Sequence, residues 1–102
     1  MKYDNNKPPI HLVPTVAIEA AAKVFAFGAA KYSENNWRDD INTTEWGRSY
    51  SSLQRHLMAY WDKEDIDPES GLLHLDYALT QLMIIRVAYD EGKDMDDRYE
   101  TK

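Results

Sequence analysis

Between Val16 and Tyr32 the chain carries three charges, Glu19, Lys23 and Lys31, and otherwise only Ala, Val, Ile, Phe, Gly and Tyr. Glu19 and Lys23 form an i,i+4 pair in the favourable order. A helix that is apolar nearly all round has to be buried on more than one side. Two further helices of one short chain do not cover it, so a second copy of the chain is expected, as a homodimer or homotetramer. This one segment therefore sets both the fold class, all-α, and the expectation that oligomerisation completes a small bundle.

The rest of the chain fits that frame. At 102 residues it is one domain. A composition of 43 % hydrophobic and 29 % charged residues is that of a folded protein, not a disordered one. Residues 1–14 read as an extended N-terminal arm punctuated by Pro8, Pro9 and Pro14, and residues 15–90 as the helical domain. Thr15 is the expected cap of the first helix, which ends near Tyr32. After the turn-rich loop SENNWRDDINTT, Thr43 or Thr44 caps a second helix reaching about Lys63. On it Trp46, Tyr50, Leu53, Leu57, Tyr60 and Trp61 lie along one face. A third helix runs from about Leu72 to Tyr89, with Ser70 as its cap. Leu75, Ala78, Leu82, Ile85 and Tyr89 form one apolar face of it, and a second apolar face again asks for a second neighbour. The polar stretch 91–102 reads as a flexible acidic tail, and the arm is the one candidate for extended pairing.

Several function classes drop out. Without cysteine there is no disulfide, no thiolate metal site and no thiol nucleophile. A net charge of −6 argues against binding a nucleic-acid backbone. No signal peptide or membrane span is visible, so a cytoplasmic protein with no membrane partner is expected.

The chemistry concentrates between His56 and Asp76, where two histidines and six carboxylates fall within 21 positions. A helix connection does not need such a run; a divalent cation and phosphate chemistry do. At about 100° per residue Glu64 continues the apolar stripe of the second helix. A carboxylate there needs a metal, a base or a proton to neutralise it. If the helix continued, Glu64 and Asp67 would project from one face, as paired carboxylates do in bundles that hold magnesium or manganese. Pro68 disfavours helical geometry at Asp67 and places it in a loop instead. Asp65-x-Asp67-x-Glu69 lacks the glycine position and terminal Glu of a calcium loop. The expected ligands are Glu64, Asp67 and Asp76, with His56 and His74 as second choices. Glu64 and His56 are the candidate catalytic residues. Lys7, Lys31 and Arg55 are candidates for phosphate contacts, Tyr32 and Trp37 for the base, His74 for either, and Asn36 offers amide donors to the substrate. Mutual repulsion within the acidic run is expected to raise its carboxyl pKa values.

Four segments carry a family resemblance: KYDNNKPPIHLVP at Lys2–Pro14, FGAAKYSENNW at Phe27–Trp37, RHLMAYW at Arg55–Trp61 and EDIDPESGLLHLDYA at Glu64–Ala78. Together they resemble the phage dATP/dGTP diphosphohydrolases, relatives of the MazG-like all-α nucleotide pyrophosphohydrolases. The resemblance implies conversion of a purine deoxynucleoside triphosphate to monophosphate and pyrophosphate with Mg2+ or Mn2+, in the host cytoplasm if the chain is phage-encoded. One departure stands out. MazG-like enzymes pair E-x-x-E on one helix with E-x-x-D on the next, whereas this chain has Glu64-x-x-Asp67 and then His74 and Asp76. The incomplete set motivates an alternative: a non-catalytic phage protein that sequesters a nucleotide-derived signal or inhibits a host enzyme.

Overall fold

The computed structural model describes residues 6–100; residues 1–5 of the expected arm and 101–102 of the expected tail lie outside it. The described chain is all-α, with a 3-10 turn at Ile10–Leu12 followed by α1 (Thr15–Lys31), α2 (Asn36–Asp40), α3 (Trp46–Trp61) and α4 (His74–Glu91). α4 is the organising element, with α3 packed along it and α1 packed against it as well. No described helix is long and apolar enough to cross a membrane.

Small residues let the helices meet. The buried apolar side chains are Ala21 and Val24 of α1, Ile41, and Ala78 and Ala88 of α4. Leu53 and Leu57 are half-buried on α3, but Tyr50 and Trp61, read as part of the same stripe, stay exposed. Gly92 follows α4 at a close approach: a Cβ there would come within 2.5 Å of the Ile41 carbonyl oxygen. That obstacle is backbone and does not swing away, so Gly92→Ala should destabilise the fold by about 1–3 kcal/mol. Chemical denaturation reads the change, and an unshifted midpoint would show that the Ile41 segment yields freely.

Local chemistry moved several boundaries. None of the four helices has a side-chain N-cap of its own: Thr15 is already inside α1, and Thr43, Thr44 and Ser70 do not cap α3 or α4. α3 stops at Trp61, short of the expected Lys63, in a Schellman closure. Glu64 N–H donates to the Ala59 carbonyl at 2.9 Å and Lys63 N–H to that of Tyr60 at 3.1 Å. Lys63 takes the left-handed backbone, φ +72°, that glycine usually supplies. Helix α2 replaces part of the expected loop; Asn35 in the left-handed region (φ +63°) turns the chain into it.

The acidic run also differs from a simple link. Residues 65–74 fold back on themselves through an isolated antiparallel bridge between Ile66 and Leu73. Asp67 N–H donates to the Leu72 carbonyl at 2.8 Å and His74 N–H to that of Asp65 at 2.9 Å. Gly71, at φ +78°, makes the reversal possible. Extended pairing therefore falls here, not in the described part of the arm. The tail departs from expectation too. It forms a 3-10 turn at Lys93–Met95, after which Asp97 Oδ1 accepts the Gly47 N–H at 2.7 Å, capping α3 from a distance.

Candidate functional site

The closure at Trp61 and the fold-back at 65–74 bring three side chains into line. Glu64 leaves the end of α3 in non-helical geometry and meets His74, the first residue of α4: Glu64 Oε2 lies 2.8 Å from His74 Nε2. His74 Nδ1 lies 2.9 Å from Nδ1 of His56 on α3. His74 is only 6 % exposed. His56 is half-buried, and its ring stacks on Tyr77 with centroids 4.7 Å apart and planes 6° apart. Burial chiefly, and then the neighbouring His74, hold the His56 pKa below its ordinary value of 6.5, against an opposing pull from Asp67.

His56 and Tyr77 face an open cleft of about 1050 Å³ between α1, α2 and α4. That is at the upper end of small-molecule sites, roughly 300–1,000 Å³. Trp37 lies along it, its ring 5.7 Å from Phe25 and 4.4 Å from the Arg38 guanidinium. Lys31 ion-pairs with Glu69 at 3.1 Å, which raises the Lys31 pKa through the hydrogen bond first and the charge second. Partial burial alone would raise the Asp67 pKa. Hydrogen bonds from Ser70 Oγ at 2.8 Å and from the Glu69 and Ser70 amides, with the nearby His74, bring it below its ordinary value. At Asp67 the direction is therefore opposite to the one expected from crowding, because local donors and His74 outweigh the cost of burial.

Of the residues singled out from sequence, Lys31, Tyr32, Asn36, Trp37, His56 and Asp67 line the cleft. Glu64 and His74 stand behind His56. Lys7 and Arg55 are exposed and outside the cleft lining, and Asp76 is half-buried in the first turn of α4, also outside it. Sequence reasoning gave no site role to Arg38, Glu69, Tyr77 and Gln81, all in the lining. Arg38 adjoins Trp37 in a recognised loop and was findable; the stacking of Tyr77 on His56 depends on how α3 meets α4.

The carboxylates do not fit a bound divalent ion as they stand. Among the described residues no three His, Asp or Glu side chains are arranged to hold one. Glu64 Oε2 is engaged by His74 and Asp67 Oδ2 by Ser70. The cleft is nonetheless rich in negative charge, with Glu34, Asp40, Asp67 and Glu69 against Lys31 and Arg38.

These features define the class: an all-α domain with an open, aromatic-edged cleft and a carboxylate–imidazole–imidazole line at one wall. The chain belongs to the dATP/dGTP diphosphohydrolase N-terminal family, whose model matches residues 1–98. It is 31 % identical over 98 residues to a dATP/dGTP diphosphohydrolase of Salmonella phage PMBT28, a match covering 96 % of this chain. The chain spans about a third of that relative's length, 32 %. No solved structure matches it.

Proposed function

We propose that the chain hydrolyses a purine deoxynucleoside triphosphate, dGTP or dATP, to the monophosphate and pyrophosphate. The observation that carries this reading is the cleft itself, where an aromatic plane at Trp37, the cations Lys31 and Arg38, and His56, backed by His74, meet in one concavity. The name of the phage relative supplies the substrate class. Trp37 and Tyr32 would contact the base, Lys31 and Arg38 the phosphates, and His56 would accept a proton from the attacking water. The cleft's surplus of carboxylates would repel a bare triphosphate, so the substrate is expected to enter with its magnesium or manganese ion.

The reading is tested by incubating the protein with dGTP or dATP and manganese, with a chelator arm alongside, and measuring pyrophosphate and monophosphate. Stoichiometric pyrophosphate and monophosphate are the expected products. Tight binding with the nucleotide recovered intact would replace hydrolysis with sequestration. The absence of a preformed three-ligand metal set among the described residues is the observation that keeps that second reading alive.

A further inference from the structure

Resting on the hydrolase reading, we propose that Glu64 is a positioning residue that acts through His74 to fix which nitrogen of His56 carries the proton, leaving His56 Nε2 as a lone-pair acceptor in the cleft.

The argument is one of hydrogen-bond direction. A carboxylate accepts and does not donate, and a neutral imidazole has one donor and one acceptor nitrogen. The Glu64 Oε2 to His74 Nε2 contact of 2.8 Å therefore places the hydrogen on His74 Nε2. With His74 in its neutral form, its Nδ1 is then an acceptor, and the 2.9 Å contact between the two Nδ1 atoms places the hydrogen on His56 Nδ1. His56 Nε2 is left with its lone pair. No described residue supplies a hydrogen bond to it, and no fully buried side-chain nitrogen or oxygen of the described residues lacks a partner, so this atom is not sealed from solvent. His56 lines the cleft, and on this proposal that atom is directed toward a bound substrate.

The arrangement suits the proposed reaction. Water attacks the α-phosphorus, the new P–O bond forms, and the bond to the bridging oxygen breaks with its electron pair on pyrophosphate. The water proton moves to His56 Nε2. The resulting imidazolium keeps its Nδ1–H on His74, whose Nε2–H remains on Glu64, so charge is stabilised along the line with no second proton transfer. The Tyr77 ring, parallel to His56, restrains rotation that would break the line. With the wrong tautomer the same geometry would present an N–H and have no base to offer, which is how a carboxylate-to-amide change behind a histidine lowers turnover without moving atoms.

The chain holds three histidines, His11, His56 and His74, so a 15N spectrum of histidine-labelled protein resolves each ring, with exposed His11 as internal reference. At neutral pH and without nucleotide, His56 should show a protonated Nδ1 and a bare Nε2. Glu64→Lys, a donor-only side chain at an exposed position, should shift His56 toward the Nε2–H form and lower kcat for pyrophosphate release by about 10²-fold or more at little-changed KM. An Nε2–H on wild-type His56, or a tautomer indifferent to Glu64→Lys, overturns the proposal. The expected tautomers without any pyrophosphate release would uphold the hydrogen-bond line and refute the hydrolase reading instead.

Discussion

Replacing His56 with glutamine should slow pyrophosphate release by about 10²–10⁴-fold, the contribution of a positioned proton acceptor, while the protein still folds and still binds nucleotide. The amide can keep one hydrogen bond to His74 but cannot take a proton. Steady-state kinetics should place the loss in kcat, whereas Trp37→Ala should raise KM by removing a stacking plane. Full activity in His56→Gln would move the base elsewhere. The same residue predicts the pH profile. Burial, then His74, holds the folded-state pKa of His56 below 6.5, so the base stays unprotonated into mildly acidic solution and the acid limb of the rate falls below 6.5. Its effect on stability has a definite sign. As pH falls below the unfolded value, the unfolded chain takes up a proton that the folded chain does not, so the folded state loses stability through that window. Asp67 acts in a separate window. Its lowered pKa contributes stability above the ordinary carboxyl value of 3.8, lost as pH falls through the folded value. Thermal melts of wild type and His56→Gln between neutral pH and about pH 5 should converge on acidification; parallel curves would contradict the linkage.

What the sequence made legible was whatever a helical period encodes. The apolar run of α1, the Leu53 and Leu57 positions of α3 and the small residues of α4 all follow from spacing, and each lies in its helix. The lost pieces are those where tertiary contacts decide local conformation. Lys63 has no intrinsic preference for a left-handed backbone, yet it closes α3 and frees Glu64 from the helix. With Glu64 non-helical, the inferred E-x-x-D face does not exist, and the carboxylate turns to His74 instead of a neighbouring aspartate. Asp97 capping Gly47 across 50 residues is likewise invisible to any local window. Within the site, Lys31, Trp37, His56 and Asp67 were legible because their residue types are unusual where they stand. Tyr77 was not, because an aromatic on an apolar helix reads as core.

The protein should associate in solution through α1 and α4, and Leu82→Arg should break that association. Among the described residues only five apolar side chains are buried, and none is fully buried. Val16 and Ile18 on α1 are exposed, as are Leu75, Leu82 and Tyr89 on α4. The last three are spaced seven apart and so fall in one stripe along the helix. The chain presents 8131 Å² of accessible surface, where a folded monomer of its mass presents about 6,000 Å². An excess on the order of 2,000 Å² per chain, about 4,000 Å² for a pair, falls in the range of obligate homodimer interfaces. Burying a leucine side chain contributes about 1.5–3 kcal/mol, and a symmetric dimer buries each position twice. A charged side chain at position 82 should therefore weaken association by roughly 10²–10⁴-fold in Kd, and more if the guanidinium stays unpaired. Light scattering at micromolar concentration reads both states: a dimer or tetramer for the wild type and a lighter species for Leu82→Arg. A wild type that remains monomeric there would mean that the stripe stays in water, and that the apolar character of α1 answers to something other than a second copy.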